Sequence, residues 1–169
     1  MSDLPDFNAD EVEMTEVIEH GEPTTERGAA RRIALQVLYE VDCAHHPPGE
    51  VLAARLAEHD LARKTVRYLS QIVQGVVDSR ADLDAVIQPY APEWPLGQVA
   101  IVDRNILRLA LYELANQESI PVAVVISEAV ELAALFGAEG APRFVNGVLA
   151  AMAKDVPVLR ERLKPRQEV

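Results

Sequence analysis

One cysteine, Cys43, stands in this chain of 169 residues. An intramolecular disulfide framework is therefore excluded. Aromatic residues make up only 5% of the chain, while Ala, Leu and Val abound. That balance favours helices over a sandwich or barrel. No apolar run approaches the roughly 20 residues that a bilayer span requires. The acidic N-terminus lacks the charged-then-apolar pattern of a secretory signal. Together these absences lead us to expect a cytoplasmic protein with no membrane association. Motifs for catalysis are missing as well. There is no phosphate-cradling Gly loop, no Gly-x-Gly-x-x-Gly and no Gly-x-Ser-x-Gly. Cys43-Ala44-His45-His46 is not matched by a second cluster that would complete four metal ligands, so a loop after the first helix accounts for it better. The expectation is a non-enzyme without metal or cofactor.

What is present is a core and an uneven charge. Hydrophobic residues make up 49% of the chain, enough for one domain or two small lobes sharing a core. The net charge of −11 argues at first against nucleic acid. Its distribution does not. Residues 1–26 hold nine acids and no Lys or Arg, and the rest of the chain holds 16 basic against 18 acidic groups. Phosphate contact is a property of a patch rather than of the whole chain. Residues 1–24 read as an acidic, disordered tail, residues 25–155 as the helical domain, and residues 156–169 as a charged tail that frays.

The fold class expected is all-α, with about seven helices. Thr24 or Thr25 caps a helix to about 44, with Ala30, Ala34, Val37, Leu38 and Val41 on its core face. Pro47-Pro48-Gly49 ends it. A second helix spans about 49–59. A third spans about 61–78, with Val66, Leu69, Ile72, Val73 and Val76 inward and Gly75 inside it. Asp78 or Ser79 then caps a short fourth helix to 89, and Pro89, Pro92 and Pro95 break the chain. A fifth helix, about 97–117, is apolar on nearly all sides and therefore central. Pro121 opens a sixth and Gly137 stops it, and Pro142 opens a seventh to about 153.

Three constellations could carry function. Arg27 and Arg31 are i,i+4 neighbours, and Arg32, Gln36 and Tyr39 share a helical track away from the core face. Guanidinium forks match phosphate oxygens, Gln can read a base edge and a phenol can stack on an unpaired base. On composition alone a solvated face with local ion pairs, such as Glu26 to Arg27, is the better account of the same residues. The second constellation is Arg143-Phe144-Val145-Asn146-Gly147 at a helix start, where free N–H groups and the dipole favour anions. Phe144 suits a core anchor. Asn146-Gly147 is poor helix sequence, which fits a bonded Asn and a close approach by RNA or a neighbouring helix. The third is Asp103, Arg104, Arg108 and Glu113 on the central helix. Charges on a buried helix need partners, and Glu128 or Glu131 would serve Arg108. Asp103 and Arg104 lie nearer the helix start and could face a partner protein.

In order along the chain, ARRIALQVLYEVD (30–42), DRNILRLALYEL (103–114), Pro121, ISEAVELAALFGAE (126–139) and RFVNGVL (143–149) resemble the transcription antitermination factor NusB family. The resemblance covers about 27–155. It implies two small helical bundles packed against each other. It also implies binding of boxA-like single-stranded RNA of nascent ribosomal RNA transcripts, together with the small-subunit ribosomal protein that acts as NusE. The implied role is an adaptor that loads an antitermination complex on RNA polymerase. The resemblance and the constellations together make Arg27, Arg31, Arg32, Gln36, Tyr39, Arg143, Phe144 and Asn146 the expected RNA-binding residues, with Tyr39, Asp103 and Arg104 meeting the ribosomal partner. Gln36, Arg143 and Arg104 rest on the constellations alone. Some family members form homodimers that cover the RNA face. The chain departs from the family pattern in three places. Its arginine segment is sparser, Ser127 replaces the usual Asn, and Gly140-Ala141-Pro142 replaces a polar cap. Three spaced arginines imply a grip shared with the protein partner. Two other readings remain: the RNA-recruitment domain of a ribosomal RNA cytosine methyltransferase, present as a fragment, or a helical module that binds only protein.

Overall fold

The computed structural model describes residues 25–164, so the expected acidic tail, 1–24, lies outside the described residues. Seven α-helices are found among them. They are α1 (Glu26–Ala44), α2 (Pro48–Ala57), α3 (Arg63–Ile87), α4 (Ile101–Asn116), α5 (Val122–Phe136), α6 (Ala141–Ala153) and α7 (Val156–Arg162). Thr25 caps α1 by accepting a hydrogen bond from the Gly28 N–H at 2.9 Å. His45 ends α1 in the left-handed region (φ 57°), so the Cys43–His46 stretch is a helix terminus and loop. Pro48, Pro121 and Pro142 stand at or beside the starts of α2, α5 and α6, as their fixed φ favours.

Two partitions differ from the sequence expectation. Residues 63–87 form one helix, not two. Leu83, Val86 and Ile87 prolong the buried stripe of Leu69, Ile72, Val73 and Val76. Asp78 caps nothing; it accepts from Gln74 Nε2, four residues back, at 2.8 Å. Val66 is only half-buried, and Thr65 and Tyr68 take the inward positions. Of the charged tail expected to fray, Val156–Arg162 forms a helix, while 165–169 lie outside the described residues. Val156 and Leu159 are buried, Leu163 packs on the core, and Arg160 Nε donates to the Leu114 carbonyl at 3.1 Å. This apolar stripe docks α7 on α4.

Helices α1–α3 form one bundle and α4–α6 the other, with α4 packed against α1, α3, α5 and α6. One continuous core joins them. Gly75 leaves room for the Tyr112 ring where α3 meets α4, and a Cβ there would force that ring to move. The contact of α1 with α4 is fixed by charge as well. Arg31 meets Glu113, and Asp42 meets Arg104 and Arg108. The two helices therefore run antiparallel, and each offers an arginine first and an acid later. Sliding one past the other, or reversing it, would set like charges together.

Candidate nucleic-acid interface

An open cleft of about 580 Å³ lies between the N-terminal turns of α1 and α3 and the segment joining α4 to α5. Arg27, Arg31, Lys64 and Arg67 line it, against the carboxylates of Glu26 and Glu128. Its floor is a buried network. Arg31 Nε donates to both carboxylate oxygens of Glu113 at 2.9 and 3.1 Å, and the Tyr68 hydroxyl donates to Glu113 at 2.7 Å. Glu128 stands 3.6 Å from Arg31. Burial alone would lower the Arg31 pKa, but Glu113 more than compensates and the net shift is upward. Burial, reinforced by Glu113, pushes the Tyr68 phenol well up. Burial likewise raises the Glu128 carboxyl, against the pull of Arg31. Above this floor the Arg27 guanidinium lies 5.2 Å from the Tyr68 ring centroid, a cation–π geometry. Arg27, Lys64 and Arg67 have no carboxylate partner among the described residues.

The arginine constellation is thus divided. Arg27 is exposed on the cleft. Arg31, expected to belong to the solvated grip, is only 4% exposed. It precedes Leu35 and Leu38 by four and seven residues, so it shares their inward stripe. Arg32 faces α5 and donates to Glu131 at 3.1 Å. Gln36 is half-buried, and Tyr39, 42% exposed, ends that track. Lys64, Arg67 and Gln71 escaped the sequence reading although they follow a legible helical track of three and four residues. Attention to the apolar stripe of α3 hid them.

The other expected residues lie elsewhere. Arg143 is exposed and Phe144 packs on the core edge, on a helix that packs chiefly on α5 and α4. Asn146 makes no side-chain hydrogen bond among the described residues. Gly147 would meet nothing within 4 Å if it carried a Cβ, so no neighbouring helix requires it.

The central-helix charges turn inward. Arg108 does not reach Glu128 or Glu131, which belong to Arg31 and Arg32. It holds Asp84 by two hydrogen bonds, at 2.6 and 2.8 Å, and Asp42 at 3.1 Å. Arg108 and Glu113 are five positions apart, about 140° round the helix, so they face different neighbours. Arg104, expected to face a partner, donates instead to Asp42 at 3.1 Å and to the Gly97 carbonyl at 3.2 Å. Asp103 is largely buried as well. It is 9% exposed, at the turn between α5 and α6, where a Cβ on Gly137 would come within 3.1 Å of its Oδ1. That oxygen has no hydrogen-bond partner among the described residues, and burial raises the carboxyl pKa. A raised acid pKa means that the ionised form strains the fold above that pKa and not below the ordinary carboxylate range. Asp103→Asn is expected to stabilise the chain at pH 7 by about 1 kcal/mol, or roughly 3 °C in Tm. The gain should vanish at pH 3. Calorimetry showing a loss at pH 7 would refute this.

Comparison with known proteins agrees with this architecture. The NusB family profile matches residues 28–154. The transcription antitermination protein NusB of Dehalococcoides mccartyi (strain CBDB1) is 42% identical over 131 residues, spanning 78% of this chain and 92% of that protein. That of Roseiflexus castenholzii (strain DSM 13941 / HLO8) is 43% identical over 140 residues, spanning 82% and 96%. The chain belongs to the NusB family. Solved structures bear out the fold. T. maritima NusB superposes with a TM-score of 0.72 at 30% identity, covering 79% of this chain and 94% of that one. A structure of antitermination factors NusB and NusE in complex with dsRNA gives 0.71 at 30% identity, covering 77% and 97%. Neither Arg32, Gln36 and Tyr39 on α1 nor the start of α6 lines the cleft. No helix among the described residues is long and apolar enough to cross a membrane.

Proposed function

We propose that this chain is a non-enzymatic antitermination adaptor acting in the cytoplasm. It binds a boxA-like single-stranded segment of nascent ribosomal RNA, together with the small-subunit ribosomal protein that acts as NusE, for delivery to the RNA polymerase antitermination complex. Its relatives are named as transcription antitermination proteins, and one structural neighbour was solved with NusE and RNA. The observation that carries the reading is the cleft. Three cations without carboxylate partners among the described residues surround a rigid floor, a combination suited to the phosphates of a single strand. Arg31 and Tyr68 supply rigidity from below rather than contacts of their own. Arg143, with the unbonded Asn146 and the open Gly147 surface beside it, offers a second RNA contact. Arg32, Gln36 and Tyr39 offer a third surface, where exposed Tyr39 suits the ribosomal partner or a base. Arg104 serves that partner by holding the start of α4, where Asp103 stands, through Asp42 and the Gly97 carbonyl.

Charge reversal at Arg27, Lys64 and Arg67 tests the cleft. Each is exposed, so folding should survive. With the ribosomal partner present, affinity for a boxA oligonucleotide is expected to fall about 10- to 100-fold. The log–log salt slope should shrink by roughly 2, at about 0.7 per single-strand phosphate. Unchanged affinity and slope would remove the cleft from the RNA site and favour a module that binds only protein. A scrambled oligonucleotide and a duplex decide sequence and strand preference.

A further inference from the structure

The described chain begins inside the cleft. Thr25, Glu26 and Arg27 all line it, so whatever precedes them starts at its mouth. Residues 1–24 contain eight acids and no Lys or Arg. The cleft opposite holds Arg27, Lys64 and Arg67, without carboxylate partners among the described residues, and apolar Ile120, Pro121 and Val124, the last 42% exposed. The last acids of the tail interleave with an apolar pair, as Glu16-Val17-Ile18-Glu19. Glu26 already lies in the cleft. Its carboxylate accepts a hydrogen bond at 2.7 Å from Thr65, which neighbours Lys64 on α3. Reach is sufficient: Glu22 and Glu19 precede Thr25 by three and six residues, about 10 and 20 Å of extended chain. The family match begins only at residue 28, and the two relatives are spanned over 92% and 96% of their length. The acidic segment thus lies outside the part of the chain that the family profile matches.

We propose that residues 11–22 dock in the basic cleft and compete there with RNA. The charges of Arg27, Lys64 and Arg67 complement the acids of that segment, and the cleft's Ile120 and Val124 complement its apolar pair. A tethered segment has an effective concentration on the order of millimolar. A weak contact then suffices to lower apparent RNA affinity about tenfold, so that only RNA held by further contacts, or with the ribosomal partner, displaces the tail. The docking itself stands on the cleft and the charges. The competition rests on the RNA reading given above.

The experiment compares the full chain with a full-length variant carrying Glu11→Gln, Glu13→Gln, Glu16→Gln, Glu19→Gln and Glu22→Gln. Amide resonances of Arg27, Lys64, Arg67 and Val124 report docking, and titration with a boxA oligonucleotide reports competition. The variant is expected to shift those resonances and to bind RNA about tenfold tighter at low salt, with the gap closing at high salt. Unmoved cleft resonances overturn the docking. Moved resonances with equal RNA affinities overturn the competition. Moved resonances with no RNA binding by either chain leave the docking standing and sink the RNA reading instead.

Discussion

Glu113→Ala is expected to lower the stability of the folded chain by about 3–5 kcal/mol. Glu113 is 1% exposed and accepts from two buried donors, Arg31 Nε and the Tyr68 hydroxyl. Truncation leaves a buried guanidinium with only Glu128, at 3.6 Å, to face. It also leaves a phenol without its acceptor and a cavity between α1, α3 and α4. On a chain of this size the change amounts to roughly 10–20 °C in Tm. Glu113→Gln should fall between, because an amide oxygen still accepts from Tyr68 while the charge on Arg31 stays uncompensated. The consequence for function is indirect. Arg27 sits over the Tyr68 ring, so a loosened Tyr68 takes an edge of the cleft with it. Urea denaturation of both variants measures the effect. A loss below 1 kcal/mol in Glu113→Ala would mean that this network does not hold the two bundles together.

The same network shows where sequence reasoning stops. Helical periodicity, the capping threonine and the prolines before α5 and α6 were legible because they are local. So was the central burial of α4, from its apolar circumference. The need of Arg108 and Glu113 for partners followed from that burial. Their identity did not. Partners are set by how α1 and α3 cross α4, and no local pattern encodes that crossing. Asp42 therefore went unnoticed, as one acid near the end of an amphipathic helix. Arg31 misled for a related reason. An arginine one residue from a core alanine reads as a flank of the stripe, yet it lies in line with Leu35 and Leu38. In the cleft, Arg27 was legible as a cation near a helix start. Lys64 and Arg67 come from another helix, and only packing brings them opposite. The division of residues 63–87 into two helices followed from weighing Asp78 and Ser79 as caps. The apolar stripe that resumes at Leu83 outweighed them.

Asp42→Ala should be comparably damaging, at about 3–4 kcal/mol. Asp42 is buried at the C-terminal end of α1, where four side chains donate to it: Arg80 at 2.8 Å, and Arg104, Asn105 and Arg108 each at 3.1 Å. Burial alone would raise its pKa. The hydrogen bonds from Arg104 and Asn105 and the charges of Arg108 and Arg80 reverse that, and the net shift is downward. A depressed carboxyl pKa stabilises the fold above the unfolded value, near 4, and that contribution is lost as pH falls through the folded value. The wild-type chain should therefore lose stability steeply in acid, and Asp42→Asn should flatten that limb while lying below the wild type at pH 7. Urea midpoints between pH 7 and pH 3 check both features; parallel curves would show that Asp42 does not govern the acid limb. Asp42 and Glu113 differ in what they protect. Glu113 secures the end of α1 that borders the cleft. Asp42 secures the far end against α3 and the start of α4. Because Arg31 and Asp42 present opposite charges to Glu113 and to Arg104 and Arg108, loss of either acid should also weaken the preference for a single register. In Asp42→Ala this predicts faster amide exchange at the C-terminal turns of α1, with the turns around Arg31 still protected.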